Sequence, residues 1–234
     1  MNATWVDAQW FGFDTETTGV SPTDDRIVTA SIVTSESGAK GGSLVSRDWL
    51  ADPGVAIPER ATAIHGISTE YARANGRPPK DVLNEVNEAL EGQLRAGQIV
   101  VVFNAGYDLP LLEADSKRHG VLPLAERLTS VAPVIDPLVL DRAMDRYRKG
   151  KRTLGDLCAF YGVPPIGTAH TADADAAMTL RLLEKMLEKY PALAEKDGGE
   201  ITEFQRGAHA AWAENFESFL RSRGRDSHIS RTWF

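Results

Sequence analysis

The sequence predicts a mixed α/β protein whose sheet opens as an antiparallel meander, continues with parallel strands and is flanked by helices. Three observations carry that expectation. Residues 9–14 (QWFGFD), 26–33 (RIVTASIV) and 42–46 (GSLVS) are short β-type runs divided by Gly, Pro, Ser and Asp, and their short links suit antiparallel neighbours. Residues 99–103 (IVVVF) form a continuous apolar run, the pattern of a strand buried on both faces. From there on helical periodicities alternate with strand signals, which places helices against a sheet.

Each element follows from its own residues. Leu83, Val86, Leu90 and Leu94 recur at helical spacing and predict an amphipathic helix over 79–96. The buried run at 99–103 leads into a helix from about Asp108 to His119, stopped by Gly120. Val134 and Ile135 form a short strand candidate, with Asp136 and Pro137 reading as N-cap and first helical residue. Two further helices are expected over 137–148 and 153–161, then a core helix from about Thr171 to Leu187. Residues 191–200 (PALAEKDGGE) read as a linker. Beyond it Phe204, Ala208, Trp212, Phe216 and Leu220 recur every four residues in a last amphipathic helix. The expected division is therefore a main domain over 1–190, a linker over 191–200 and a helix with tail over 201–234.

The bulk properties narrow the class. A chain of 234 residues suits one sizeable α/β domain with an appendage. No apolar run approaches the ~18 residues needed to span a bilayer. The first residues, MNATWVDAQW, lack the basic and apolar regions of a signal peptide, and the one cysteine, Cys158, fits a reducing compartment and reads as a small core residue. The expected location is cytoplasmic. A net charge of −7 argues against a broad basic surface for nucleic acid, unless clustered carboxylates are metal ligands. Residues 142–152 (RAMDRYRKGKR) are the exception, with six basic residues against one acid. They read as a solvated helix face and loop or as an electrostatic track for a nucleic-acid backbone.

The stretch FGFDTETTGV, residues 11–20, carries the chemistry. Asp14 and Glu16 share one face of an extended segment, and two carboxylates that close repel each other unless a cation sits between them. Acid pairs at this spacing also arise by chance, so alone the pair reads first as a solvated loop start. Asp108, in VVFNAGYDLPLL, opens a helix, where the dipole favours any acid. Asp175, in AHTADADAAMTL, lies in another helix start, with His170 five residues before it.

Taken together, Asp14-x-Glu16 in FDTETTG, Asn104 to Asp108 in FNAGYD, and His170-x-x-x-x-Asp175 followed by Ala176 resemble, in order, the three exonuclease motifs of the DEDD superfamily. The histidine spacing resembles the DEDDh subclass, and ERATAIHGIS looks like the matching region of the epsilon proofreading subunits of bacterial DNA polymerase III. The resemblance covers roughly residues 9–188 and implies a ribonuclease H-like fold. It also implies a two-metal phosphodiesterase, whose ions sit about 3.5–4 Å apart on the attacking and leaving oxygens. Asp14, Glu16, Asp108 and Asp175 would be the ligands of two Mg²⁺ or Mn²⁺ ions, hard cations suited to carboxylates. Asp14 would bridge them. His170 would take the proton from the attacking water, since imidazole as a group titrates near pH ~6.5.

By the same resemblance, Thr17, Thr18, His65, Asn104 and Tyr107 would lie on the substrate side. Thr17 and Thr18 would sit near the 3′-terminal nucleotide. His65 would approach that nucleotide or cap a turn, and Tyr107 would stack on a base or pack at a helix start. Phe103 departs from many epsilon-like chains, which carry histidine there, so contacts to the penultimate nucleotide transfer less directly. The expected function is 3′–5′ hydrolysis of single-stranded or frayed DNA to nucleoside monophosphates, in proofreading or repair. An exoribonuclease is the alternative enzyme, because the same site cuts either polymer. A non-catalytic binding protein would predict loss of a ligand or of the base, and all five residues are present. The helix at 201–220 is expected to pack back on the domain or to dock a polymerase or a second copy.

Overall fold

The apolar run at the head of the chain becomes the central strand of a sheet in a computed structural model, which describes residues 4–35, 42–129, 133–168 and 170–234. Strand β1 (Trp10–Thr17) pairs antiparallel with β2 (Ile27–Ser35), and β2 pairs antiparallel with β3 (Leu44–Leu50). Helices α1 (Glu59–His65), α2 (Thr69–Asn75) and α3 (Pro79–Arg95) follow. The chain then returns through β4 (Ile99–Val101), which lies parallel to β1, into α4 (Ala105–Arg118) and α5 (Leu124–Arg127). Strand β5 (Val134–Ile135), parallel to β4, completes the order β3-β2-β1-β4-β5. Helices α6 (Pro137–Met144), α7 (Leu154–Tyr161), α8 (Ala172–Lys189) and α9 (Gly198–Ser222) close the fold. The mixed sheet flanked by helices is the architecture the sequence predicts.

Alternation along β1 builds two cores. Phe11 and Phe13 point to one face, into a cluster with Leu83, Val86 and Leu90 of α3 and Leu111 and Leu112 of α4. Each fully buried side chain of this size contributes about 1.5–3 kcal/mol. Trp10 points to the other face, where Ala176, Leu180 and Leu183 of α8 pack. Gly12 shares that face and lets α8 come close: a Cβ there would lie 2.6 Å from the Ala176 carbonyl oxygen.

Several boundaries differ from the sequence expectation. β3 extends to Leu50 because its pairing with β2 runs from Ser35↔Leu44 to Thr29↔Leu50. α6 stops at Met144, short of 148, because Arg148 and Arg152 fold back onto the buried carboxylate of Asp141. α1 and α2, of seven residues each, have too few apolar positions to register a period; α1 ends at Gly66 in the left-handed region and α2 starts under the Ser68 hydroxyl. The segment read as a linker carries a 3-10 turn, Pro191–Leu193, and Leu193 is buried while its carbonyl accepts from Trp5 Nε1 at 2.8 Å. α9 lies on α6 and β5 and buries Ile201, Gln205 and Ala213. Cys158 is buried beside α8. Among the described residues no helix is long and apolar enough to cross a membrane.

Candidate active site

Position decides the chemistry of β1. β4 pairs with β1 only as far as Gly12↔Val101, so Asp14 and Glu16 lie beyond the end of the parallel strand, at the crevice where α/β sheets hold ligands. Both project to the α8 side with Gly12. The close approach at Gly12 sets the first turn of α8 over them. Carboxylate oxygens of Asp14, Glu16 and Asp175 consequently lie within 4.8 Å of one another.

Such crowding has an electrostatic signature. Burial, then Asp108, Asp175 and Glu16, hold the Asp14 carboxyl well above the usual carboxylate range. Burial, with Asp175 and Asp108, pushes Glu16 up to about 8. Burial raises Asp175 as well. Clustered acids that resist ionisation on their own accept a hard cation readily, because its charge replaces the missing solvation and cancels their repulsion. An all-oxygen donor set of this kind fits Mg²⁺ or Mn²⁺.

Asp108 is placed differently from the other three acids. It sits in the first turn of α4, on the opposite face of β1, and its carboxylate accepts from the Thr15 hydroxyl at 2.5 Å. Period-two alternation explains this: Thr15 and Thr17 face α4 while Asp14 and Glu16 face α8. Asp108 still belongs to the same electrostatic unit, since after burial its charge acts most strongly on Asp14, and burial pushes it up to about 7.

His170 precedes α8, exposed, with a left-handed backbone at φ 62°. Together with Glu16 and His65 it lines a cavity of about 520 Å³. His65 ends α1, buried; its Nδ1 accepts from the Ile67 N–H at 3.1 Å, and its Nε2 has no partner. Burial holds its pKa below the usual range, which favours the neutral ring. The hydroxyls of Thr17 and Thr18 are engaged within the protein. Thr17 bonds Tyr107 Oη at 2.7 Å, and Thr18 donates to Asp25 at 2.8 Å. Tyr107 also donates to the Gly19 carbonyl and packs on the core, so it ties α4 to the turn after β1. Asn104 is exposed at φ 63°, with its backbone N–H donating to Asp136.

Sequence reasoning missed three supports. Gly12, a glycine inside an apolar strand, did carry a signal, since that pattern marks close backbone approach. Thr15 carried none beyond alternation. Asp136 reads as an N-cap, and it is one, accepting from Leu138 N. The same carboxylate also accepts from Asn104 N and Ala105 N at 3.0 Å and from Trp233 Nε1 at 3.3 Å. Its own backbone N–H donates to Gln205 Oε1 at 2.7 Å. The start of α4, which carries Asp108, is thus fastened to α9 and the chain end.

A mixed sheet of this topology with acids gathered at the end of its central strand defines a ribonuclease H-like, metal-dependent nuclease class. The chain belongs to the exonuclease family (RNase_T), whose model matches residues 11–183, and its motifs are those of the DEDDh-type 3′–5′ exonucleases. It is 30% identical over 178 residues to the PolC-type DNA polymerase III of Streptococcus suis, covering 76% of this chain and 11% of that protein. It is 31% identical over 200 residues to a DNA polymerase III epsilon-like protein of Rhodobacter capsulatus, covering 83% and 26%. The chain thus spans only a fraction of these relatives. Among solved structures it is similar to an exonuclease I at TM-score 0.68 and 19% identity, covering 80% of this chain and 42% of that one. Exonuclease X with 5′ overhanging duplex DNA gives TM-score 0.57 and 19% identity, covering 84% and 99%. At those identities the structural likeness establishes the fold.

Proposed function

We propose that this chain is a divalent-metal-dependent 3′–5′ exonuclease that removes nucleoside monophosphates from the 3′ end of single-stranded or frayed DNA, in proofreading or repair. The observation that carries the reading is the gathering of Asp14, Glu16 and Asp175 oxygens within 4.8 Å beside Asp108. Solved neighbours support the polymer: one is an E. coli exonuclease I in complex with a dT13 oligonucleotide, another a zinc-bound exonuclease I–ssDNA complex.

Asp14, Glu16, Asp108 and Asp175 would hold two ions, Mg²⁺ or Mn²⁺. Bound there, the ions would polarise the scissile phosphate and lower the pKa of the attacking water. His170, at the cavity mouth, takes the proton of that water as it attacks phosphorus. The 3′ oxygen of the penultimate nucleotide leaves with the shortened strand. His65 presents Nε2 to the terminal nucleotide in the same cavity. Thr17, Thr18 and Tyr107 shape the turn beside it, and Asn104 offers its exposed side chain to the strand. The PolC-type relatives are polymerases, so a polymerase is the protein partner this reading names, in the cytoplasm.

The test compares wild type with Asp14→Ala on 5′-labelled single-stranded DNA, mismatched-end duplex and single-stranded RNA, with Mg²⁺, Mn²⁺ or EDTA. A metal-dependent ladder shortening from the 3′ end is expected, with the variant slower by about 10³-fold or more, roughly 4 kcal/mol of barrier. Preference for RNA would reassign the polymer, and no digestion under any metal would defeat the reading.

A further inference from the structure

Two features of the sequence remain outside the metal site: the basic run 142–152 and the aromatic face of the last helix. About sixty residues apart in the chain, they form opposite walls of one groove of about 880 Å³. Arg142, Arg146 and Tyr147 line one wall, and Trp212, Phe216 and Phe219 of α9 the other. The rings of Trp212 and Phe216 stack at 5.4 Å between centroids, and those of Phe216 and Phe219 at 6.4 Å, with interplanar angles of 17° and 14°.

The charges of the groove are unequal. Arg148 and Arg152 both pair with Asp141, and Arg148 pairs with Asp145 as well. Among the described residues Arg142 and Arg146 make no direct ion pair, although Asp136 and Asp141 act on Arg142 at longer range; the Arg142 guanidinium lies 3.6 Å from the Trp212 ring centroid, and Arg146 lies 5.5 Å from that of Tyr147. Among the described residues the one acid lining the groove, Glu203, is paired with Arg206. Tyr147 is 85% exposed, Phe219 51% and Phe216 38%. On a protein of net charge −7, this is a locally cationic surface, with Arg146 exposed and free of any direct ion pair among the described residues, interleaved with open aromatic rings. A polyanion whose every unit also carries a π-face satisfies both halves, and single-stranded nucleic acid is that polymer.

We propose that the groove between the 142–152 segment and α9 binds single-stranded nucleic acid, holding the part of the substrate strand upstream of the nucleotide being removed. The inference rests on the nucleic-acid reading above and extends it to a second binding region. α6 connects the two places. Its N-cap, Asp136, fastens the Asn104–Ala105 backbone ahead of Asp108, and its last turn delivers Arg142 to the groove, about 9 Å along the helix. Phosphates engage Arg142 and Arg146, and bases lie against Tyr147, Phe216 and Phe219.

Full-length Asp14→Ala protein, which binds without cutting, gives the test by fluorescence anisotropy. Labelled oligo-dT of about 20 nucleotides reaches both regions, and about 4 nucleotides fills the catalytic cavity alone. Adding Phe216→Ala and Phe219→Ala together is expected to weaken the long oligomer about fivefold to a hundredfold and leave the short one unchanged. Arg146→Ala should lower the slope of log affinity against log salt by about 0.7 for each phosphate that the protein no longer neutralises. Lys80→Ala, an exposed charge on α3, controls for net charge and should leave the long oligomer's affinity alone. Equal affinity of groove variants and parent for the long oligomer overturns the proposal. So does a fall in sedimentation mass with affinity unchanged, which would assign the groove to a second copy of the chain. Groove-dependent binding by a wild type that cuts nothing would defeat the exonuclease reading and leave the groove standing.

Discussion

At the scale of single residues, the acids on β1 are costly to the fold until a cation joins them. Glu16, pushed up to about 8, and Asp14, held well above the usual carboxylate range by burial and its neighbours, bind protons more tightly in the folded chain than in the unfolded one. A raised carboxyl contributes stability that is complete below its unfolded pKa and is lost as pH climbs through the folded value. In EDTA the melting temperature should therefore fall between about pH 4.5 and pH 8. Glu16→Gln should flatten that slope, and Mg²⁺ should restore stability most strongly near pH 8. An EDTA melting profile that rises across this range would contradict the electrostatic picture. Residue-scale geometry also separates Asp108 from the other acids, since the Thr15 hydroxyl holds its carboxylate on the α4 side of the strand.

At the scale of elements, the site depends on how closely α8 lies on β1. Gly12 is the point of approach, with room for hydrogen and none for a methyl group. Gly12→Ala must displace α8 and carry Asp175 away from Asp14 and Glu16. Overpacking of this kind costs about 1–3 kcal/mol. Mn²⁺ affinity should drop by about 10–100-fold, the usual consequence of disturbing the support of a ligand. Titration followed by manganese electron paramagnetic resonance reads this directly, alongside a thermal melt. Unchanged affinity would mean that α8 accommodates the methyl without moving its first turn. The helix start of α4 is held in another way, by the Asp136 carboxylate bonded to Asn104 N, Ala105 N and Trp233 Nε1.

At the scale of the whole molecule, α9 and the chain end belong to the framework of the site. Gln205 bonds both Val134 and Asp136, Ile201 is fully buried, and Trp233 lies in the core cluster that includes α4. Deleting residues 198–234 should lower the melting temperature by about 10 °C or more or yield insoluble protein, because several buried side chains of about 1.5–3 kcal/mol each are removed. A soluble deletion with wild-type melting would show that α9 merely rests on the surface. The sequence by itself determined the sheet class, the long helices and the order of the acidic motifs, because periodicity and punctuation are local properties of a chain. It left α1 and α2 unseen, since seven residues hold too little periodicity to read. Only the tertiary structure decided that Asp175 joins Asp14 and Glu16 while Asp108 is held by Thr15, that Gly12 admits α8, and that the basic run and the aromatic helix line one groove. Those facts depend on the meeting of residues far apart in sequence, and distance along the chain carries no record of them.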